Sequence, residues 1–254
     1  FSLTSPHTPL SVNKEWIGKS GLGLYGDFVM ETDAIVGRVL AALDESGAAD
    51  RTLVIFTSDN GCAHYIGVKE LENNGHFPSG GLRGYTSDAW EGGHRVPFII
   101  RWPGVVKPDA VCGQLVHQAD LMRTFADAMG AELPDNAGED SFKLLPLLKG
   151  EDNPVRANAV SNSIGGVPAV RDGPWKYIAA PGSGGWTMGG DPSQPVQLYH
   201  LADDPAETHN LAATRPDKVA EMQALLEKLI TDGRSTPGAK QQNDVNVVRH
   251  PTVP

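Results

Sequence analysis

The chain has 254 residues, 40% of them hydrophobic and 20% charged, which is enough to bury a sizeable core and too apolar for overall disorder. Its formal net charge of −10 excludes nucleic acid as the main partner, because phosphate binding needs clustered Lys and Arg. Only Cys62 and Cys112 are present, with no C-x-x-C pair and too few for a disulfide framework, and no apolar run approaches the roughly 20 residues of a membrane span.

The first residues, Phe1-Ser2-Leu3, read as the tail of a strand entering a proline-flanked loop at residues 4–9. There is no initiator Met and no basic start or apolar core of a signal peptide, so the chain is expected to begin inside a fold. Residues 27–46 carry Phe28, Ile35, Val36, Val39, Leu40 and Leu43 at helical spacing, with Gly47 placed as the stop. The run 52–57, Thr-Leu-Val-Ile-Phe-Thr, has no polar alternation and predicts a strand buried on both faces of a parallel sheet. Ser58-Asp59-Asn60-Gly61 ends it and opens a long loop to about residue 84. A second buried-type strand is expected at 96–101, then a helix at 119–129 with Leu121, Phe125 and Met129 on its inner side.

Three prolines between residues 133 and 155 mark a connection. Beyond it, short apolar runs at 157–164, 168–171, 175–179 and 196–201 alternate with Gly-Gly, Asp-Gly and Gly-rich turns, the pattern of a small antiparallel sheet. A helix is expected at 215–229, burying Val219, Met222, Leu225, Leu226 and Leu229, before a polar, Pro-rich tail that runs over the surface. The expected architecture is α/β, a mainly parallel sheet flanked by helices over residues 1–150 followed by an antiparallel subdomain over 151–254.

Chemistry in open α/β sheets gathers at the carboxyl ends of strands, which is where Asp59 and Asn60 fall. A carboxylate beside an amide oxygen suits a hard cation, although Asp-Asn-Gly is equally a common turn. Residues 82–104, which contain Arg83-Gly84-Tyr85-Thr86 and Glu91-Gly92-Gly93-His94-Arg95-Val96-Pro97, carry the most distinctive pattern. Taken with Thr57-Ser58-Asp59-Asn60-Gly61, Pro6-His7-Thr8-Pro9 and the later Leu198-Tyr199-His200-Leu201 through Asp204-Pro205 to Asn210-Leu211, it resembles the arylsulfatase and N-acetylgalactosamine-6-sulfatase-like family of the alkaline-phosphatase superfamily.

The resemblance implies a hydrolase of aryl or carbohydrate sulfate monoesters, acting through a formylglycine nucleophile and one calcium ion. It implies that Asp59 and Asn60 are calcium ligands, and that His7 contacts the sulfate or the leaving oxygen. It also implies that Glu91, Gly92, Gly93 and Arg95 are structural, a tight turn and an ion pair that set the following strand; His64, His94 and His117 have no assigned role.

Two departures stand out. The formylglycine motif, such as Cys-x-Pro-x-Arg, is matched by neither Cys62-Ala63-His64 nor Cys112-Gly113-Gln114, so the nucleophile, two further Asp ligands and other sulfate contacts are expected from an N-terminal half of the fold. Thr86 occupies the place of the family's usual sulfate-neutralising Lys, with Lys69 as a conceivable substitute.

The alternatives are a non-catalytic sulfatase-like remnant or subunit, a phosphatase or phosphodiesterase of the same superfamily, and a truncated hydrolase of other esters. For the last of these, Gly18-Lys19-Ser20-Gly21-Leu22 fails the nucleophile-elbow pattern at its final position. The expected partners are a sulfate ester and the N-terminal half; a homo-oligomer is compatible with the resemblance, and so is a periplasmic or secreted location.

Overall fold

A computed structural model describes residues 1–251. Helix α1 spans Gly23–Glu45, starting about one turn earlier than its apolar spacing predicts and stopping just before Gly47. Its buried polar residues tie down the incoming loop. Asp27 accepts from the backbone N–H groups of Gly18 (2.7 Å) and Ser20 (2.8 Å), Glu31 accepts from Asn13, and Thr32 donates to Ser5 Oγ at 2.9 Å.

Strand β1 (Val54–Thr57) pairs with β2 (Phe98–Arg101) in antiparallel register, Thr57 opposite Phe98. No parallel pair occurs among the described residues, and the expectation that β1 is covered on both faces is not met: Phe56 is 38% and Ile99 61% exposed. Antiparallel pairing has a consequence for the site. Residues 58–97 leave and re-enter the sheet at the same end, so that segment, with short helices α2 (Val68–Asn73) and α3 (Glu91–His94), is anchored at both of its ends at the carboxyl end of β1.

Helix α4 (Leu121–Ala128) follows and inverts the expected face. Thr124 and Ala126 are buried, whereas Phe125 is 38% and Met129 76% exposed. The cause is polar: Thr124 Oγ1 donates to Asp120 O (2.6 Å) and accepts from Leu144 N (2.9 Å), turning that side inward against the segment that leads to α5 (Leu145–Leu148).

Strands β3 (Asn158–Asn162), β4 (Pro168–Asp172), β5 (Trp175–Ile178) and β6 (Gln197–His200) form a four-stranded antiparallel meander, and α6 (Pro216–Asp232) packs on it. Its pleat sends alternate residues to two cores. Val170, Tyr177 and Leu198 meet Met222 and Leu226 of α6, while Ala169, Ile178 and Tyr199 meet Ala89 and Trp90 on the opposite side. No helix or strand follows α6 within the described residues, and the tail is fixed at points such as Arg249 to Glu227 (2.7 Å).

Candidate active site

Two motifs that lie far apart in the sequence meet at the carboxyl end of β1. Gly61 N–H donates to Gly93 O at 2.9 Å, and a Cβ on Gly61 would lie 1.9 Å from Gly92 O. Cβ atoms on Gly92 and Gly93 would lie 2.2 Å from Gly84 O and Asp88 O. The glycines of Ser-Asp-Asn-Gly and Glu-Gly-Gly are therefore required by backbone against backbone, a contact that no side chain could share.

That contact seats the polar groups. Thr86 N–H donates to Cys62 O (2.8 Å), and the Thr86 hydroxyl donates to Asn60 Oδ1. A hydroxyl has one proton, so in this arrangement Thr86 orients Asn60 and presents only lone pairs to anything else. Asp59 lies two residues beyond the end of β1, where the neighbouring Asn60 amide holds its carboxyl below the usual carboxylate range; Ser58 Oγ adds a contact at 3.3 Å.

His7 is exposed, and its ring bonds to the adjacent Thr8 carbonyl; no hydrogen bond among the described residues joins it to Asp59, Asn60 or Thr86. Cys62 faces Ser79 Oγ at 3.5 Å, and burial pushes its thiol pKa up, which disfavours the thiolate.

The donor set at Asp59 and Asn60 is two hard oxygens from adjacent residues, chemistry that fits calcium but only as part of a shell of about 6–8 oxygens. No cluster of three or more His, Cys, Asp or Glu side chains in metal-binding range occurs among the described residues.

Behind the site lies an ionic network that sequence reasoning missed, apart from Glu91. Lys176, 1% exposed, projects from β5 between Glu91 Oε1 (3.0 Å) and Glu207 Oε1 (2.9 Å), and its Nζ lies 3.1 Å from His94 Nε2. Glu207 also accepts from the backbone N–H of Glu91 at 2.6 Å. Burial alone would raise the Glu91 pKa, yet Lys176, His94 and Arg171 hold it below the ordinary value. On Glu207 burial prevails and the pKa rises. Burial and the neighbouring ammonium press the His94 pKa down to about 4, so its imidazole is neutral, with Nε2 between Lys176 Nζ (3.1 Å) and the Ala89 carbonyl oxygen (3.2 Å).

Arg83 completes the clamp. Its guanidinium stacks 3.7 Å from the centroid of buried Trp90, and it donates to Glu207 O (2.8 Å) and Tyr199 Oη (3.2 Å). The motif's Arg83, Trp90 and Glu91 are thus pinned to the C-terminal sheet. The signal that could have pointed to Lys176 was a lysine within the apolar run of β5, which only a buried counter-charge makes tolerable.

The family model described as Sulfatase matches residues 1–131. Over 234 residues the chain is 37% identical to an N-acetylgalactosamine-6-O-sulfatase of Bacteroides thetaiotaomicron, a match covering 89% of this chain and 45% of the relative. Human arylsulfatase A is 32% identical over 271 residues, covering 96% of this chain and 52% of that protein.

Among solved structures, one described with the metabolism of multiple glycosaminoglycans by B. thetaiotaomicron superposes with TM-score 0.79 at 35% identity, covering 89% of this chain and 48% of that one. Another, solved in complex with k-i-k-neocarrahexaose, gives 0.71 at 26% identity, covering 93% of this chain and 50% of that one. The chain therefore spans about half the length of the relatives it matches. The α/β fold is that of these sulfatases, and with more than half its length matched by the family model, this chain belongs to the sulfatase family.

Proposed function

We propose that this chain supplies the cation-binding and substrate-facing side of a sulfatase active site acting on carbohydrate sulfate monoesters. The observation that carries the reading is the bond from Thr86 to Asn60, which brings the Ser-Asp-Asn-Gly turn and the segment before Glu-Gly-Gly together at the carboxyl end of β1. One relative is named N-acetylgalactosamine-6-O-sulfatase and a similar structure was solved in complex with k-i-k-neocarrahexaose, whereas the human relative is named arylsulfatase A; the first, at 37% identity against 32%, favours a sugar over an aryl leaving group.

In this reading Asp59 and Asn60 are two of the ligands of a calcium ion, which would stabilise developing charge on the ester oxygens. Asp59 stays ionised because Asn60 stabilises its charge, and Thr86 holds the Asn60 amide with its oxygen side defined. His7 is assigned to the sulfate or leaving-group oxygen, and its loop is positioned from α1 through Ser5 and Thr32. No Cys here has the neighbours of a formylglycine site, so the nucleophile is assigned to the other half of the sulfatase fold. The apolar residues left open on α1 and the β1–β2 pair, among them Leu24, Val29, Phe56 and Ile99, suit a surface that such a half would cover.

A second reading, a non-catalytic sulfatase-like subunit, is favoured by one observation: where a charged lysine is expected, Thr86 offers no charge and its hydroxyl proton is engaged with Asn60. Losing one such electrostatic contact lowers rates by about 10²–10³.

The two readings separate in an assay of sulfate release from N-acetylgalactosamine 6-O-sulfate. The 254-residue chain alone is expected to give no enzyme-scale turnover, and turnover by it would point to a different nucleophile and overturn the assignment. Mixed with a formylglycine-bearing N-terminal half of the Bacteroides relative, it is expected to restore hydrolysis, with Asp59→Ala abolishing both the rate and calcium binding in calorimetry. A folded, calcium-loaded but inactive mixture would favour the non-catalytic subunit.

A further inference from the structure

Three exposed rings converge beside the Asn60–Thr86 contact. His64 and Tyr65 stand on one 3-10 turn, His64–Ile66, and Trp186 comes from the glycine-rich loop between β5 and β6. The His64 and Tyr65 centroids are 5.2 Å apart, and each lies 6.3 Å from that of Trp186. Tyr65 is 47% and Trp186 48% exposed, so this apolar area faces solvent rather than closing a core. Rings gathered at the surface from segments about 120 residues apart mark a recognition surface more readily than a packing accident.

The loop carrying Trp186 is built into the site. Trp186 N–H donates to Ser87 Oγ at 3.0 Å, Thr187 N–H donates to Asp88 Oδ1 at 3.3 Å, and the Thr187 hydroxyl donates to the same carboxylate. Ala89 N–H donates to Ser183 O at 2.8 Å, and Gly185 presses so closely on Ser87 that a Cβ there would lie 2.4 Å from Ser87 O. Ser87 itself holds φ of +82°, a conformation that a residue with a side chain adopts only when its surroundings enforce it. The other ring-bearing segment hangs from the preceding residue, through Thr86 N–H to Cys62 O. The dipeptide Thr86-Ser87 thus fixes both sides of the aromatic cluster, and the same Thr86 orients Asn60.

Resting on the sulfatase reading above, we propose that His64, Tyr65 and Trp186 form a platform for the sugar ring of the sulfate ester, next to the Asp59–Asn60 end of β1. The faces of aromatic rings are electron-rich and attract the polarised C–H bonds on the apolar side of a pyranose. Tyr65 and Trp186 are tilted by 43° and His64 and Trp186 by 66°, which gives a bent surface that suits a puckered ring better than a flat aryl group. The Tyr65 hydroxyl and the His64 ring nitrogens provide donors and acceptors for sugar hydroxyls, polar partners that an aryl group has no means to use. Rigid two-torsion side chains also lose little conformational freedom on binding.

The test is calorimetric titration of the 254-residue chain with N-acetylgalactosamine 6-O-sulfate, with unsulfated N-acetylgalactosamine and with phenyl sulfate. Trp186→Ala is expected to weaken both sugars by about three- to tenfold, Trp186→Phe to keep most of the affinity, and Tyr65→Ala to reproduce a smaller loss. Trp16→Ala, remote in sequence from the cluster, should change nothing, and unchanged melting of each variant confirms folding.

Equal sugar affinities in wild type and Trp186→Ala overturn the platform, and if the 6-sulfate still strengthens binding the sulfatase reading stands without it. Trp186-dependent binding that ignores the 6-sulfate also upholds the platform, since the remaining sulfate contacts are assigned to the other half of the fold, and the reconstitution assay then decides the sulfatase reading. A loss confined to phenyl sulfate makes this an aryl site and overturns the sugar assignment, as does failure of the wild-type chain to bind either sugar.

Discussion

The four-stranded C-terminal sheet and the β1–β2 pair differ in a way opposite to what their sequences predict. The strand run of β1 has no polar alternation, the signature of burial on both faces, yet Phe56 and its partner Ile99 stand exposed. The C-terminal meander reads as a small antiparallel sheet, a type that usually has one solvated face, yet it is covered on both, by α6 on one side and by the Ala89–Trp90 segment on the other. Apolar patterning records the burial a strand was selected for, and the chain that provides the cover need not be adjacent in sequence. For the meander, the cover on one face is the Ala89–Trp90 segment that leads into Glu-Gly-Gly, which makes the C-terminal sheet the backing of the candidate site.

The largest expected effect tests that backing. Lys176→Met leaves Glu91 and Glu207 buried without their shared ammonium, and is expected to destabilise the chain by about 3–5 kcal/mol in denaturant unfolding. A change near zero would mean that the meander and the motif are held together by apolar contacts alone. Next, Gly61→Ala drives a methyl into Gly92 O and should cost about 1–3 kcal/mol, together with loss of whatever cation affinity Asp59 provides. Retained stability would show that the two motifs separate easily.

A matched pair sharpens the contrast between the two sheets. Ile178→Val, in a fully buried position, is expected to cost about 0.5–1.5 kcal/mol, whereas Ile99→Val at its exposed site should stay within about 0.5 kcal/mol. Equal losses would show that the β1–β2 face is covered in solution.

The remaining effect is a slope. Because the folded His94 pKa is depressed to about 4 from 6.5, the unfolded chain binds more protons between those values. The stability from keeping His94 neutral is therefore complete above about pH 6.5 and is lost as pH falls towards 4. Between pH 6.5 and 5, His94→Gln should flatten the decline seen in the wild type; an unchanged slope would place the proton uptake elsewhere, with Glu207, whose pKa burial raises, the first candidate.

How far the sequence could be read depended on the range of the interactions involved. Helices α1 and α6, all six strands and the antiparallel meander follow from local periodicity and turn chemistry, and the motif spacing identified the family before any contact was known. Local patterns also placed Asp59 and Asn60 at the end of β1, since a strand and the turn after it are neighbours in the chain.

Three things depended on tertiary structure. The buried side of α4 was set by Thr124 bonding to Leu144 rather than by Phe125 and Met129. The role of Thr86 followed from its contact with Asn60, 26 residues earlier, and not from the lysine it replaces. Lys176, Glu207 and Trp186 joined the site through contacts across about 85–120 residues of chain, where no periodicity reaches. A sequence encodes its elements through neighbours three or four residues apart, but a buried charge or an exposed ring acquires its meaning only from what the fold sets against it.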